Sequence, residues 1–323
     1  ELYARVLTDI VLGCFDTEAG KLYVIADQDS FEIQDVLTVA HEFAHGLQQL
    51  HFDIRAIRES ISDNADQSKA FTALVEGDAT ITQLLYMFEY LDDAEQEAAQ
   101  NASASGDISA FLAAPLVIRR SMAFPYVEGR VFAIELYLRT SDFEVINEAY
   151  EYVPRSTEQI MHVEKYDARE EPIKVVLPDI AATLGEGWTE LDRNILGELF
   201  IRSYLESEFG AGSATSSIAA AGWGGDQYVL VENEAGQALF ASMIVWDSEE
   251  DADEFYRAYQ DLVESSLGGT WEESADSEST LTMETEGQHA LINLDGLITT
   301  IVLAPDLDAA LTTIKVIRAG EGE

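Results

Sequence analysis

The chain has 323 residues, and 61 acidic against 18 basic side chains give it a formal net charge of −43. This charge argues strongly against binding to nucleic acid through phosphates and against docking on anionic lipid, which both need clustered Lys and Arg. Apolar residues form 47% of the chain and aromatic residues 10%, so it is not a disordered protein. No apolar run approaches the roughly 18 residues of a membrane-spanning helix.

The excess of acidic residues allows three interpretations. A high-salt environment favours carboxylates that keep a protein soluble, and an exported protein also gains solubility from acidic residues. A preference for basic substrates is the weaker third interpretation. Residues 1–10 show no basic stretch followed by an apolar run, so they are not a signal peptide, although one could have been removed before this numbering begins. The single cysteine, Cys14, excludes a disulfide framework within the chain.

The first part of the chain predicts one short strand followed by helices. Lys21–Ala26 is a β-prone run, and Asp29 or Ser30 can cap the helix that follows. Apolar residues then recur at helical spacing, which we take to face the interior. They are Val36, Ala40, Phe43, Leu47 and Leu50. Further helices are predicted over about 68–91, 108–122 and 128–140, and 92–107 is predicted to be an exposed connection.

The last third of the chain changes in character. A helix is predicted over about 191–209, and the Gly-, Ala- and Ser-rich residues 210–225 are typical of a linker. Helices are then predicted over Glu249–Leu267 and Leu307–Ile317, and strands over Gln227–Val231, Ala238–Trp246, Leu281–Glu284, Ala290–Leu294 and Ile298–Leu303. This order predicts a small antiparallel α+β unit. The fold class is therefore α+β, with a mainly helical domain over residues 1–210 and a C-terminal α+β domain over residues 211–323.

One motif carries chemistry. His41-Glu42-Phe43-Ala44-His45 has the form H-E-x-x-H and lies in a segment that is predicted to be helical from its apolar spacing. Residues four positions apart share a helix face, so His41 and His45 are able to present two imidazole nitrogens to one zinc ion. Glu42 then lies beside the metal, where it would activate a water molecule.

A catalytic zinc usually has three protein ligands, and two residues compete for the third place. His51 has the metzincin spacing, but Gln48 stands where that pattern has the glycine that turns the chain back to the metal. Glu76, on the next predicted helix, is the alternative and is favoured because the turn glycine is missing. Gly77 beside it indicates close approach by another backbone, for which we expect the His41–His45 helix.

Several segments resemble a group of largely uncharacterised bacterial zinc metallopeptidases of the gluzincin type. The likeness covers 22–25, 37–53, 73–80, 124–129, 154–162 and 222–226, and so spans most of the chain. It implies a zincin-like fold with a short edge sheet in the first domain and a third metal ligand at Glu76. It also implies an extracellular or cell-envelope location, since members of the group often carry export signals.

The remaining catalytic roles are open at this point. Asp78 is a candidate for orienting a ligand histidine from the second coordination shell, although it lies on a different helix face from Glu76. Peptide hydrolysis also needs a donor for the tetrahedral oxyanion, and His162, Tyr126 and Tyr166 are available. His162 is the first choice, because it follows a capping-box pattern that begins at Ser156.

The sequence therefore predicts a zinc-dependent peptidase that acts on peptide or protein substrates, with Zn²⁺ held by His41, His45 and Glu76. The strand Lys21–Ala26 is expected to form the edge of its cleft. Two alternatives remain. In the first, the chain is a non-catalytic, exported binding module with a zincin-like fold. In the second, it is a metal hydrolase that acts on a bond other than the peptide bond. Oligomeric state is left open.

Overall fold

A computed structural model describes residues 12–25, 31–103, 108–210, 212–274, 277–285 and 287–320. The fold is α+β, as predicted. The chain forms two compact units, one made of Glu1–Asp63 with Gln67–Arg169 and the other of Asn64–Asp66 with Glu170–Glu323. Within the described ranges, no helix is both long enough and apolar enough to cross a membrane.

The first unit is mainly helical and contains a single described hairpin. Strands β1 (Gly13–Asp16) and β2 (Lys21–Val24) pair in antiparallel fashion. The helices are α1 (Ile33–Phe52), α2 (Ile54–Ser60), α3 (Ala65–Tyr90), α4 (Asp93–Ser103), α5 (Ser109–Ala113), α6 (Leu116–Thr140), α7 (Glu144–Glu148), α8 (Thr157–Met161) and α9 (Val163–Asp167). The first two residues of α3 belong to the second unit.

Three local predictions differ from the structure of this unit. Strand β1 was not predicted, since its four residues carry little β-propensity signal. The described part of the segment 92–107 is mostly exposed, as predicted, but it forms the helix α4 and not an irregular connection. Helix α1 is capped by Glu32, which forms a reciprocal capping box with Asp35. The predicted caps Asp29 and Ser30, and the strand end Ala26, lie outside the described residues.

Helix α1 exposes the apolar stripe that we expected to be buried. Phe43 is 59% exposed and Leu50 76% exposed. The buried side of the helix instead carries Leu37, Thr38, Glu42, Ala44 and Gln48. At 100° per residue, the stripe lies on the side of the helix opposite to His41 and His45. The prediction of which face is buried was therefore wrong, although the helix itself is present.

Helices α3 and α6 approach each other at two glycines. A Cβ atom on Gly77 would overlap the backbone carbonyl of Gly129, and a Cβ on Gly129 would overlap that of Ala73. Gly77 therefore marks close contact with another backbone, as predicted, but with α6 rather than with the helix that carries His41 and His45. This contact holds α3 in place at Gly77, the residue that follows Glu76.

The second unit is built on a seven-stranded antiparallel sheet of order β3-β4-β5-β9-β8-β7-β6. Its strands are β3 (Trp188–Asn194), β4 (Trp223–Asn233), β5 (Ala238–Trp246), β6 (Glu272–Ser274), β7 (Ser277–Thr285), β8 (Gln288–Asp295) and β9 (Ile298–Ala304). Its helices are α10 (Ile180–Leu184), α11 (Gly197–Phe209), α12 (Ala214–Ala220), α13 (Glu249–Leu267) and α14 (Leu307–Gly320).

Helices cover both faces of this sheet. On one face, Leu205 of α11, Ala219 of α12 and Phe255 of α13 pack on Trp223 and Trp246. On the other face, α10 and α14 pack on residues such as Val231 and Val302. The unit is thus a three-layer sandwich of helices, sheet and helices.

The predicted domain boundary after residue 210 does not match this division. The second unit already includes Glu170, because β3 pairs with β4 and α11 covers the sheet. The segment 210–225 is not a linker, since its small residues form α12 and its end begins β4. The buried alanines of α12, Ala219 and Ala220, allow that helix to lie close to its neighbours.

Candidate metal centre

Three side chains from two helices of the first unit bring their ligand-type atoms together. Oε2 of Glu76 lies 3.1 Å from Nε2 of His41 and 3.4 Å from Nε2 of His45. The two Nε2 atoms are 3.2 Å apart. The exposed fraction of each side chain is only 12–13%. The three residues predicted as zinc ligands therefore converge on one point.

His51 does not join this cluster. Helix α1 continues past Gln48 to Phe52, as expected where the turn glycine is missing. His51 instead lines a separate cavity of about 490 Å³, together with Leu47 and Phe52. Of the two candidates for third ligand, Glu76 is the residue beside the two histidines.

Gln48 determines which nitrogen of His45 faces the cluster. Its amide nitrogen donates to the backbone carbonyl of Val75 at 3.0 Å and to Oδ2 of Asp78 at 2.8 Å. Its amide oxygen lies 2.8 Å from Nδ1 of His45, so that nitrogen carries a proton and donates it. In the neutral form of His45, this hydrogen bond leaves the lone pair on Nε2, the form in which imidazole binds a metal.

Asp78 acts on Gln48 rather than on a histidine. Its Oδ2 accepts hydrogen bonds from the Gln48 amide and, at 2.7 Å, from the Tyr150 hydroxyl. The Tyr150 ring is itself stacked on Phe52, with ring centroids 4.1 Å apart. Burial raises the pKa of the Asp78 carboxyl. Asp78 therefore orients His45 only through Gln48, one step further from the histidine than predicted.

Glu42 lies beside the histidines at the foot of the hairpin. The ligand-type atoms of His41, Glu42 and His45 all lie within 4.8 Å of one another. Its carboxylate accepts a hydrogen bond from the backbone of Phe15 in β1. Burial raises the pKa of Glu42, although the charges of His45 and His41 oppose this effect. A carboxylate with a raised pKa is suited to proton transfer near neutral pH.

The electrostatics of the cluster favour a positive charge at its centre. Burial alone would raise the pKa of Glu76, but hydrogen bonds from His41 and His45 hold it far below its usual range. Burial would lower the pKa of His45, but the hydrogen bond and charge of Glu76 raise it. The lowered pKa of Glu76 and the raised pKa of His45 have the same cause. A proton or another cation is stabilised between these groups.

A cleft of about 530 Å³ opens beside His41 and Glu42. The hairpin, α1, α3 and α6 supply its walls. The lining residues are Leu12, Gly13, Gln34, Thr38, His41, Glu42, Lys69, Thr72, Thr80, Gln83, Ser121, Met122, Pro125, Tyr126 and Arg130. The hairpin lines the cleft through Leu12 and Gly13. Lys21–Ile25, the described part of the predicted edge strand Lys21–Ala26, is not among these lining residues.

The three candidate oxyanion donors lie in different places. Tyr126 lines the cleft, and its ring centroid is 6.4 Å from that of His41. His162 ends α8 and does not line the cleft. The Tyr166 hydroxyl donates to the backbone carbonyl of Tyr152 at 3.0 Å, and burial raises the pKa of Tyr166 to about 12. The structure thus places Tyr126, and not the first choice His162, in the cleft.

Several residues of the site were missed from the sequence. Gln48 was considered only as a replacement for a glycine, although its spacing of three from His45 on a helix would have allowed the contact. Tyr150 is distant in sequence from both metal helices and carries no local signal. Lys69 and Arg130 line the cleft and were likewise not singled out.

Comparison with known proteins gives one family match, and it lies in the second unit. A family model described as "Domain of unknown function (DUF8575)" matches residues 184–314. No curated protein matches the chain. Among solved structures, the chain is similar to the extracellular domain of PknH from Mycobacterium tuberculosis, with 9% identity and a TM-score of 0.32. That match covers 48% of this chain and 100% of the other.

Proposed function

We propose that the first unit is a zinc-dependent metallopeptidase in which His41, His45 and Glu76 hold the metal. The spacing of their ligand atoms carries this proposal. Zinc binds nitrogen and oxygen ligands at about 2.0–2.1 Å, so the ligands of a tetrahedral site lie roughly 3.3 Å apart. The three separations here are 3.1, 3.2 and 3.4 Å. Two imidazoles and one carboxylate are also a ligand set typical of catalytic zinc.

The protonation of the cluster supports the same proposal. In its neutral form, His45 has a lone pair on Nε2, and this atom faces Nε2 of His41 at 3.2 Å. Two such atoms beside a carboxylate are stable at this distance only with a proton or a cation among them. Zinc bound at this point supplies Lewis-acid chemistry, which polarises a carbonyl and makes a water molecule more acidic.

Two residues of the chain supply the remaining roles. Glu42 accepts a proton from the water that attacks the scissile carbonyl and then passes it to the nitrogen of the leaving amine. Tyr126 donates a hydrogen bond from its hydroxyl to the oxygen of the tetrahedral intermediate. Tyr126 takes this role in the proposal because it lines the cleft, whereas His162 does not.

The proposal places the protein outside the cell or in the cell envelope. This location rests on the resemblance to exported metallopeptidases and on the net charge of −43, since an excess of acidic residues favours solubility. A high-salt environment is part of the same proposal, since screening by salt reduces the repulsion among so many carboxylates.

Zinc content per chain tests the metal site. We expect about one zinc per wild-type chain by elemental mass spectrometry, and much less in Glu76→Ala. Glu89→Ala is the matched control, because Glu89 lies on the same helix but is exposed. Full zinc in Glu76→Ala would remove Glu76 from the ligand set.

Hydrolysis of a peptide library tests the activity. We expect cleavage by the zinc-loaded chain, loss of cleavage after chelation, and recovery when zinc is restored. A chain that binds zinc in the expected ratio but cleaves no peptide would favour the alternative of a non-catalytic binding module.

A further inference from the structure

The cleft beside the candidate metal centre contains two cationic side chains in a chain that is strongly acidic. Lys69 of α3 and Arg130 of α6 both line it. Within the described residues, neither forms an ion pair with a carboxylate. The Lys69 ammonium donates to the backbone carbonyl of Ser121 at 3.1 Å, and Arg130 is exposed. In a chain with 61 acidic residues, two cations that have no carboxylate partner among the described residues form a distinct local charge.

Lys69 lies at a defined distance from the metal ligands. It precedes Glu76 by seven positions on α3, which is close to two helical turns, so the two residues share a face. Two turns correspond to roughly 10.5 Å along the helix axis. An extended peptide advances about 3.3–3.6 Å per residue, so this distance corresponds to about three residues of substrate.

The second cation lies on α6, the helix that packs against α3. Arg130 follows Tyr126 by four positions on α6, and residues with this spacing lie on the same helix face. Tyr126 is the aromatic residue whose ring centroid is 6.4 Å from that of His41. Both α3 and α6 therefore contribute positive charge to the same cleft.

The state of Lys69 indicates that an anion completes its surroundings. An ammonium group has three N–H donors, and the structure gives Lys69 one acceptor. Burial lowers the pKa of Lys69, because the charged form has lost much of its hydration. A carboxylate would supply both the missing acceptors and the opposite charge.

We propose that the cleft selects peptides that carry a carboxylate about three residues from the bond to be cleaved, that Lys69 binds this carboxylate, and that Arg130 adds to the positive charge of the cleft. The inference rests on the proposed peptidase function and names its substrate class. The carboxylate belongs either to an acidic side chain or to the C-terminus of the substrate. Local cations in the cleft argue against the preference for basic substrates that the net charge alone allows.

Binding to the zinc-loaded Glu42→Gln chain tests the proposal without hydrolysis. The probes are N-terminally labelled octapeptides, and binding is followed by fluorescence anisotropy. In the first pair of probe sets, the C-terminus is amidated and each position in turn carries either Glu or Gln. In the second pair, the probes differ only in having a free or an amidated C-terminus. Because a charge-assisted hydrogen bond is strong, we expect a clear preference in one of these two pairs. In that pair, the neutral probe should bind about tenfold more weakly than the charged probe.

The variants identify the residues responsible. Lys69→Met and Arg130→Gln are each expected to reduce the tenfold preference, and Lys69→Arg to keep most of it. Lys174→Met is the matched control, since Lys174 is an exposed lysine of the second unit. A thermal unfolding curve for each variant shows that it is folded, and Arg130→Gln, at an exposed position, keeps the test decisive if Lys69→Met does not fold.

The outcomes separate this inference from the proposed function. A preference that follows internal Glu identifies an acidic side chain, and one that follows the free C-terminus identifies the chain end. Equal affinity for charged and neutral probes in both pairs would overturn the inference, as would a preference that survives in both Lys69→Met and Arg130→Gln. Failure of the wild-type chain to cleave any probe that it binds would instead count against the peptidase function.

Discussion

Helix α1 in the first unit and helix α13 in the second unit bury opposite kinds of side chain. Helix α13 buries apolar residues such as Phe255, Leu262 and Val263 against the sheet, and its bounds are those that the apolar pattern indicates. Helix α1 buries Glu42 and Gln48 and exposes Phe43 and Leu50. In one helix the buried face is a hydrophobic core, and in the other it is a polar centre.

The difference shows what limits a hydrophobic pattern as a guide to burial. Such a pattern identifies the inward face only where burial is driven by removal of apolar surface from water. Buried polar groups are stable when each has a partner. Gln48, Asp78 and Tyr150 meet that requirement through consecutive hydrogen bonds. The polar face of α1 is therefore inward because it is fully bonded, not because it is apolar.

The largest expected effect is on hydrolysis by the first unit, and it comes from a substitution that should leave the fold unchanged. Glu42→Gln removes the proton acceptor and keeps the size of the side chain, so hydrolysis should fall by about 10²–10⁴-fold. Zinc content should remain that of the wild type, because the ligands are unchanged. The measurement is kcat/KM on a cleaved peptide, with Glu59→Gln at an exposed site of α2 as control. Wild-type hydrolysis in Glu42→Gln would exclude Glu42 as the base.

The second unit should show a pH dependence that arises from the buried carboxyl of Asp226. Asp226 is fully buried, and burial raises the pKa of its carboxyl from 3.8 to about 6, even though it accepts hydrogen bonds from the backbone of Leu196 and Gly197 and from the Trp223 indole. The folded state therefore holds its proton more tightly than the unfolded state. The resulting stability is present below pH 3.8 and is lost as the pH rises through about 6.

The size of this loss is about 3 kcal/mol, since each pH unit between the two pKa values corresponds to about 1.4 kcal/mol. Tryptophan fluorescence measures it selectively, because all four tryptophans, Trp188, Trp223, Trp246 and Trp271, belong to the second unit. The difference in unfolding free energy between the wild type and Asp226→Asn should fall across this pH range. A difference that does not vary with pH would mean that Asp226 does not titrate there.

A smaller effect is expected where α3 and α6 cross. In Gly77→Ala the added Cβ meets the Gly129 carbonyl, so the helices must separate, at a cost of about 1–3 kcal/mol. Gly320→Ala, near the end of α14, is the control, because a Cβ there meets nothing within 4 Å. Far-UV circular dichroism during denaturation provides the measurement. If Gly77→Ala proves as stable as the wild type, the close crossing is not present in solution.

Most of the second unit, and the part of the site formed by His41, Glu42 and His45, could be predicted from the sequence, because both depend on local patterns. Alternating and helical apolar patterns identified β5, α13 and α14, because those elements bury apolar faces. The H-E-x-x-H spacing and the missing turn glycine were enough to select Glu76 over His51. Contacts between distant segments were not accessible in this way. The Tyr150 hydroxyl reaches Asp78 across 72 positions, and no local pattern encodes such a pairing.

The smallest predicted effect tests whether the polar face of α1 exists to orient a metal ligand. Gln48→Ala removes the acceptor for Nδ1 of His45, so the imidazole loses both its fixed orientation and its fixed tautomer. Substitution of a group that orients a metal ligand typically weakens metal binding by 10–100-fold, and we expect about tenfold here, since His41 and Glu76 are unaffected. A competitive zinc titration with a chromophoric chelator measures the change.

Gln49→Ala is the matched control, because Gln49 is the next residue of α1 and its side chain bonds only to exposed groups near Asp53. Gln48→Glu sharpens the test, since a carboxylate still accepts from His45 but loses the two bonds that the amide donates to α3. Zinc affinity should then be kept while the unfolding free energy falls. Unchanged zinc affinity in Gln48→Ala would show that the inward polar face of α1 serves the packing of the two helices and not the metal.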